Sequence, residues 1–365
     1  MPTADELLGA AVVEDLVAQL AAADRRRNWA TVAASSGDFA GQGLGERVQA
    51  VKVGLLTDLP AGFPAAARVI RKALRDPALS GWMIWPLSEA IAERAADSEG
   101  EDFETGLALL AELTGRLTCE FALRRFLNAD LDRTLATVLT WTAHRDEHVR
   151  RLASEGTRPR LPWAKRVPAL TARPAATLPI LEALHRDGSE YVRRSVANHL
   201  NDVSRLDPAL ALATAAAWLR EEDPQSTRLV KRALRTLVKE ADQGALALFG
   251  FAPARQISVD GIHLEPTTVA VGGALGFEAT IANEGTEPVE LMVDYVVHHR
   301  KASGELTPKV FKLTTKRLEP GERLTLSRRH SFKPITTRRY HPGPHAIELQ
   351  VNGARHGRAD FELVA

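Results

Sequence analysis

The stretch Glu190-Tyr191-Val192-Arg193-Arg194-Ser195-Val196-Ala197-Asn198-His199-Leu200-Asn201-Asp202 decides how this chain is built. Its apolar residues fall at Val192, Val196 and Leu200, with Val203 one step beyond, at spacings of four, four and three. That is the stripe of a helix with one face in a core. The opposite stripe carries Arg194, Asn198, Asn201, Asp202 and Arg205. A merely solvated helix face is ordinarily filled by lysine and glutamate. Amides set beside a carboxylate and two arginines mark a face that something touches.

The same pattern recurs on either side. Glu147-His148-Val149-Arg150-Arg151-Leu152-Ala153 lines up with Glu190 to Val196 at a distance of 43 residues, and Val230-Lys231-Arg232-Ala233-Leu234 lines up with Val192 to Val196 at 38. Helical repeats with a period near forty are the signature of HEAT-like arrays, in which each pair of helices buries one face on its neighbours. The cation pairs Arg150/Arg151, Arg193/Arg194 and Lys231/Arg232 then recur along the stack. A ladder of cations suits a regularly charged polymer such as duplex DNA. The competing reading is salt bridging within each helix at i, i+4.

A chain of 365 residues exceeds one compact core, so two domains or a repeat array is expected. Net charge is +1, but residues 1–144 hold 14 Lys and Arg against 20 Asp and Glu, whereas residues 145–237 hold 17 against 11. A basic middle in a neutral chain is the footprint of a localised polyanion site. The single cysteine, Cys119, excludes an internal disulfide framework and a cysteine-based zinc site. The acidic start (Asp5, Glu6) is unlike a signal peptide, and the longest apolar run, Pro208 to Leu219, is too short to span a bilayer. A cytoplasmic protein without a membrane partner is expected.

Residues 1–251 read as helix after helix: Glu6–Ala22, Leu44–Leu56, Pro64–Leu74, Pro86–Ala96 and Phe103–Leu113 are apolar-periodic, with a glycine-rich loop from Gly37 to Gly45. Trp82 and Trp85, in one turn before Pro86, are expected to pack between helices. From residue 252 to 365 the character changes. Short alternating segments rich in Val, Ile, Thr and Phe (Ile257–Leu264, Leu275–Ala282, Val289–His298, Lys309–Leu313, Arg323–Ser327, His345–Val351, Ala359–Val364) describe seven or eight strands of an immunoglobulin-like β-sandwich. The proline-bracketed loop Lys333 to Gly343 holds Thr336, Thr337, Arg338, Arg339 and Tyr340, side chains suited to phosphates or a groove, or to an ordinary hairpin.

Three helical segments combine carboxylates, cations and aromatics. Glu120 sits beside the apolar run Phe121, Leu123, Phe126 and Leu127, with Arg124 an i, i+4 partner in the simplest reading. Val149 to Trp163 is a helix ending near Gly156, followed by an arginine-bearing, proline-stiffened loop that presents Trp163. A tryptophan so held can stack on a planar or cationic group, although a core position is commoner. Asn198 and Asp202 complete the set. No Walker loop, dinucleotide fingerprint, HExxH helix or GxSxG elbow is present, so nucleotide triphosphates, nicotinamide and zinc proteolysis are unsupported; no metal and no cofactor are expected.

Several long motifs resemble the AlkC family of DNA alkylpurine glycosylases, HEAT-like relatives of AlkD: Ser195–Asp202 (SVANHLND), His148–Trp163 and Thr227–Lys239 in the helical part, and Asp294–Glu305 and Ser331–His345 in a sandwich similar to the Ig-like domain of one AlkC branch. The resemblance covers nearly the whole chain and is weakest over residues 1–80. One departure is Arg125, where the family pattern would have proline, which puts the shape after Glu120 in question. The resemblance implies hydrolysis of the N-glycosidic bond of cationic N-alkylated bases, chiefly 3-methyladenine and also 3-methylcytosine or 1-methyladenine, in a duplex that is bent while the lesion stays largely stacked. It places Glu120, Glu155, Trp163 and Asp202 in the active site, with Glu120 and Asp202 stabilising the sugar cation and positioning water, and leaves open whether Glu155 acts on the chemistry or orients Arg151. It assigns Arg151, Arg158, Arg160, Arg194 and Asn198 to the phosphates of double-stranded DNA; the cation ladder adds Arg150, Arg193, Lys231 and Arg232, and Lys165, with Arg338 and Arg339 of the sandwich loop, completes the expected contacts of a monomer with DNA. The alternative is a helical-repeat scaffold that binds DNA or protein without catalysis.

Overall fold

The computed structural model describes residues 2–220, 223–335 and 338–365. The chain divides into two units, the first ending at Ala233 and the second beginning at Leu234. The change from helix to strand expected at 251/252 does fall between Leu248 and Ile257. The short helices Arg235–Lys239 and Gln243–Leu248 nevertheless group with the strands, so the division between units comes earlier than the change in secondary structure.

In the first unit the helices form two rows. One row stacks Leu44–Asp58, Ile84–Ala95, Glu120–Ala129, Glu147–Gly156, Glu190–Val203 and Pro224–Ala233, each on the next; the other stacks Ala10–Ala23, Phe63–Ala73, Glu101–Leu113, Leu131–Thr140 and Leu178–Leu184. This is the HEAT-like array that the repeat announced. Bonds across the stack keep its period: Lys52 to Glu93, Arg71 to Glu112, Arg173 to Asp132 and Ser195 to Glu155 join residues 41, 41, 41 and 40 apart. Val192, Val196, Leu200 and Val203 are wholly buried, as their spacing requires. The expected helix Glu6–Ala22 is two, Ala4–Leu8 and Ala10–Ala23, joined at Gly9. A Cβ at Gly9 would lie 2.5 Å from the Asp5 carbonyl oxygen, so only glycine allows the chain to turn there. Helix Glu120–Ala129 runs unbroken through Arg125, whose guanidinium reaches Glu93 at 2.8 Å and Asp97 at 2.7 Å.

The second unit contains nine strands among the described residues: β1 (Ile257–Val259), β2 (His263–Glu265), β3 (Thr268–Ala270), β4 (Ala274–Asn283), β5 (Val289–Arg300), β6 (Leu306–Leu318), β7 (Arg323–Ser331), β8 (Gly343–Val351) and β9 (Ala354–Val364). They form an all-β Ig-like sandwich. One sheet has β4 paired with β1 and β2 and with β7; the other runs β3-β9-β8-β5-β6. Alternate residues point inward, as a sandwich demands: Leu275, Phe277, Ala279 and Ile281 of β4 meet Leu291, Val293, Tyr295 and Val297 of β5. The single strand expected over Ile257–Leu264 is two, split at Asp260-Gly261-Ile262, and the three-residue β3 is an addition to the expected set. Asn352-Gly353 turns β8 into β9 with both residues at positive φ, 44° and 84°, the geometry that an Asn-Gly hairpin supplies.

Candidate active site

The carboxylates singled out from the sequence sit on three successive helices of one row. Glu120 opens its helix, where a negative side chain is favoured by the helix dipole. Thr118 fixes it: the Thr118 hydroxyl accepts the Glu120 amide at 3.3 Å and donates to Oε2 at 2.7 Å. Arg151 of the next helix donates to the same Oε2 at 2.5 Å and to Thr118 at 3.1 Å. The i, i+4 pairing of Glu120 with Arg124 does not occur; Arg124 points away, into the core.

From Arg151 a chain of alternating charge continues. Its Nη2 lies 3.7 Å from Glu155; Arg158 donates to Glu155 Oε1 at 2.6 Å and reaches Asp202 through Nε at 2.9 Å and Nη2 at 3.3 Å. Glu155 Oε2 accepts the Ser195 hydroxyl at 2.6 Å, and Asp202 Oδ2 also takes the Arg160 amide at 3.3 Å. Glu120, Glu155, Arg158 and Asp202 are each under a tenth exposed. Burial works against charge on Arg158, but the Asp202 hydrogen bond and the fields of Glu155 and Asp202 outweigh it and hold its pKa above the ordinary arginine value. Burial likewise lifts the Asp202 carboxyl, against the hydrogen bond and field of Arg158.

The three acids are therefore not equivalent. Glu155 and Asp202 have both oxygens engaged by protein donors. Glu120 uses only Oε2; its Oε1 takes no hydrogen bond among the described residues, and Glu120 lines a cleft of about 650 Å³. Glu155, Arg158 and Thr118 share that wall. Asp202 is not among the cleft's lining residues; its carboxylate meets Arg158, which is.

Much of the remaining lining is aromatic. Trp82, Trp85, Phe121 and Trp163 line the cleft together with Leu161 and Pro162. Trp85 stacks on Phe121 with centroids 4.7 Å apart, and its indole N–H is 3.4 Å from Glu89 Oε1. Burial raises the Glu89 carboxyl, against the Trp85 hydrogen bond and the fields of Lys165 and Lys52. Trp82 and Trp85 thus border the cleft as well as packing between helices, which their spacing before Pro86 did not reveal. Trp163 is 92% exposed and sits at φ 61°, a left-handed conformation rare for a bulky residue. The core reading of Trp163 is excluded. Tyr191, which the sequence did not mark, lies beneath the Arg151 guanidinium at 5.2 Å.

The cations expected to meet DNA separate into two groups. Arg150 is committed to Asp187, at 2.6 and 3.0 Å, and to the carbonyls of His144 and Arg145. Arg158 is committed to two carboxylates, Arg151 to Glu120, and Arg193 donates to the Asp187 carbonyl. Pairing within a helix at i, i+4 occurs at Arg194, which is exposed and 3.1 Å from Glu190, and at Arg151, 3.7 Å from Glu155. Arg160, Lys165, Lys231 and Arg232 also have exposed side chains. Asn198 accepts from Arg232 at 3.3 Å, and beside it Arg193, Arg194, Arg228 and Arg232 line a groove of about 440 Å³. In the sandwich, Arg338 and Arg339 line a cleft of about 410 Å³ with Arg300, Lys301 and Lys309. Arg338 donates to His299 Nε2 at 2.8 Å; burial and the Arg338 charge push that histidine down to about 3, so it is a neutral acceptor. Thr336 and Thr337 of this loop lie outside the described residues.

A family model described as the C-terminal Ig-like domain of the uncharacterised protein YhaZ matches residues 258–365. YhaZ of Bacillus subtilis (strain 168) is 37% identical over 321 residues, which span 88% of this chain and 87% of that protein. The alkylpurine DNA glycosylase AlkC of Pseudomonas fluorescens, solved bound to DNA containing an abasic site analogue, matches the whole of both chains with a TM-score of 0.88 and 31% identity. With this fold, this Ig-like second unit and this degree of identity, the chain belongs to the AlkC family.

Proposed function

We propose that this protein is a monofunctional DNA glycosylase that hydrolyses the N-glycosidic bond of cationic N-alkylated bases in duplex DNA, 3-methyladenine first, with 3-methylcytosine and 1-methyladenine as further substrates. The observation that carries this reading is a cleft lined by three tryptophans and by Glu120, whose Oε1 takes no hydrogen bond among the described residues. An N-alkylated base is already a good leaving group, because alkylation has put positive charge on its ring. What remains is to stabilise the oxocarbenium character that grows on the sugar and to hold a water for attack. Glu120 serves both: its Oε2 is locked by Arg151 and Thr118, and its Oε1 faces the cation and orders the nucleophile. Trp163 offers a π face to the cationic base or sugar edge.

Glu155 orients Arg151 and Arg158, and Asp202 holds Arg158 and the Arg160 amide, so both act through the arginines. Arg160, Lys165, Arg194, Asn198, Lys231 and Arg232 meet the phosphates, joined by Arg228 from the groove. Arg338 and Arg339 touch the backbone or minor groove, and the lesion stays largely stacked in a bent duplex. The protein works as a monomer in the bacterial cytoplasm, on the nucleoid. The deciding experiment incubates the protein with N-methylated duplex DNA and looks for free 3-methyladenine. Release by the wild type and its loss in Glu120→Gln support the reading; no release by the folded wild type ends it.

A further inference from the structure

Arg124 is 1% exposed and makes no hydrogen bond to a carboxylate among the described residues. Its partners are backbone carbonyls: Nε donates to Lys165 at 3.0 Å, and Nη1 donates to Gly156 at 3.0 Å and to Arg158 at 2.7 Å. A guanidinium taken out of water and given only neutral acceptors is a costly arrangement. Burial, with the nearby Arg166, pulls its pKa down to about 10, still high enough to keep the charge at neutral pH.

The three carbonyls lie at the two ends of one loop. The loop leaves helix Glu147–Gly156 at Gly156 and returns by Lys165; Thr157 to Val167 has neither helix nor strand, and it carries Arg158, Arg160 and Trp163. Trp163, 92% exposed at φ 61°, gains little packing of its own to hold it. Within the loop, Asp202 holds the Arg158 guanidinium and the Arg160 amide and Leu161 is buried, so what remains to fix the stretch around Trp163 is the tie at the loop's ends. One turn along from Arg124, Asn128 donates to the Arg166 carbonyl at 3.1 Å and seconds the anchor.

We propose that Arg124 is a positioning residue whose single guanidinium ties both ends of the 156–165 loop and so presents Trp163 and Arg158 to the cleft. The inference rests on the glycosylase reading for its consequence in catalysis, but not for its structural part. A lysine keeps the charge yet cannot fork to both ends of the loop, which makes Arg124→Lys the first variant.

The test uses full-length protein labelled with 5-fluorotryptophan, the Trp163 fluorine resonance being assigned with Trp163→Phe. In Arg124→Lys the Trp163 resonance shifts and broadens while those of Trp29, Trp141 and Trp218 stay in place, and single-turnover excision from methylated duplex falls at least tenfold. In Arg124→Ala, added methylguanidinium restores part of both signals. An unchanged Trp163 resonance, or an equal disturbance of all the tryptophans, overturns the proposal. Should Arg124→Ala not fold, Arg124→Lys and the milder Asn128→Ala carry the decision. The fluorine measurement contains no DNA, so a wild type that excises nothing would refute the glycosylase reading and still leave the loop anchor judged.

Discussion

Acid should loosen this protein through one residue behind the cleft, and the size of the effect follows from its surroundings. His199 is wholly buried. Its Nδ1 donates to the Ser154 carbonyl at 2.8 Å and its Nε2 accepts the Thr177 hydroxyl at 3.0 Å, so the ring is neutral. Burial, helped by Arg158 and Arg124 and opposed by the Ser154 hydrogen bond, takes its pKa from 6.5 down to about 3. A histidine depressed in the folded state leaves the unfolded chain to bind the proton first. Its contribution is complete above pH 6.5 and is lost as pH falls toward 3. Linkage over that window makes the loss about 2 kcal/mol between pH 7 and pH 5. His199→Asn keeps a donor for Ser154 but does not titrate, at a cost of about 2 kcal/mol at pH 7 for the lost Thr177 bond and the cavity. Urea unfolding followed by far-UV ellipticity at both pH values separates the terms. The wild type should lose about 2 kcal/mol more than the variant between pH 7 and pH 5. Parallel pH dependences of the two proteins would refute the reasoning.

Further outcomes follow from the same geometry. Glu120→Gln should lower single-turnover excision by about 10²–10³-fold with little change in duplex affinity, because the remaining carboxylates have no free oxygen to replace it. Arg232→Ala should reduce the salt dependence of duplex binding by about 0.9 log units per log unit of salt, whereas Arg150→Ala, which breaks the Asp187 pair, should lower the unfolding midpoint and leave the salt slope unchanged. Gly156→Ala places a Cβ 2.5 Å from Leu123 Cδ2 and should cost about 1–3 kcal/mol in a urea titration. Trp163→Gly should leave the thermal midpoint equal or higher, since it relieves a left-handed backbone and uncovers no core, while excision collapses.

Much of this architecture is written in local spacing. The interval from Val192 to Val203 and its echoes near Glu147 and Val230 were enough to place three helices of one row, because a buried stripe needs only a period of 3.6. Alternation did the same for β4, β5 and β8. Breaks were less visible: Gly9 reads as one more small residue in an alanine-rich run, and only the approach of the Asp5 carbonyl makes it a junction. The resemblance supplied the identities of Glu120, Glu155, Trp163 and Asp202, and the fold brings Glu120, Glu155 and Trp163 to one cleft with Asp202 one arginine behind.

By itself the sequence determined the helical array, the Ig-like sandwich and the kinds of side chain available to a site, since each depends on neighbours a few residues apart. Tertiary structure alone decided what each charge does. Arg150 and Arg151 are adjacent in the chain, yet one closes on Asp187 and the other on Glu120, 37 and 31 residues away. Three buried acids look alike in the chain, but two have both oxygens taken by donors, from the loop after Gly156 and from Ser195 of a neighbouring helix, and one does not. The reason is physical: a helix period fixes which way a side chain points, while its partner, and hence its free oxygen or spare donor, is set by whichever repeat packs against it.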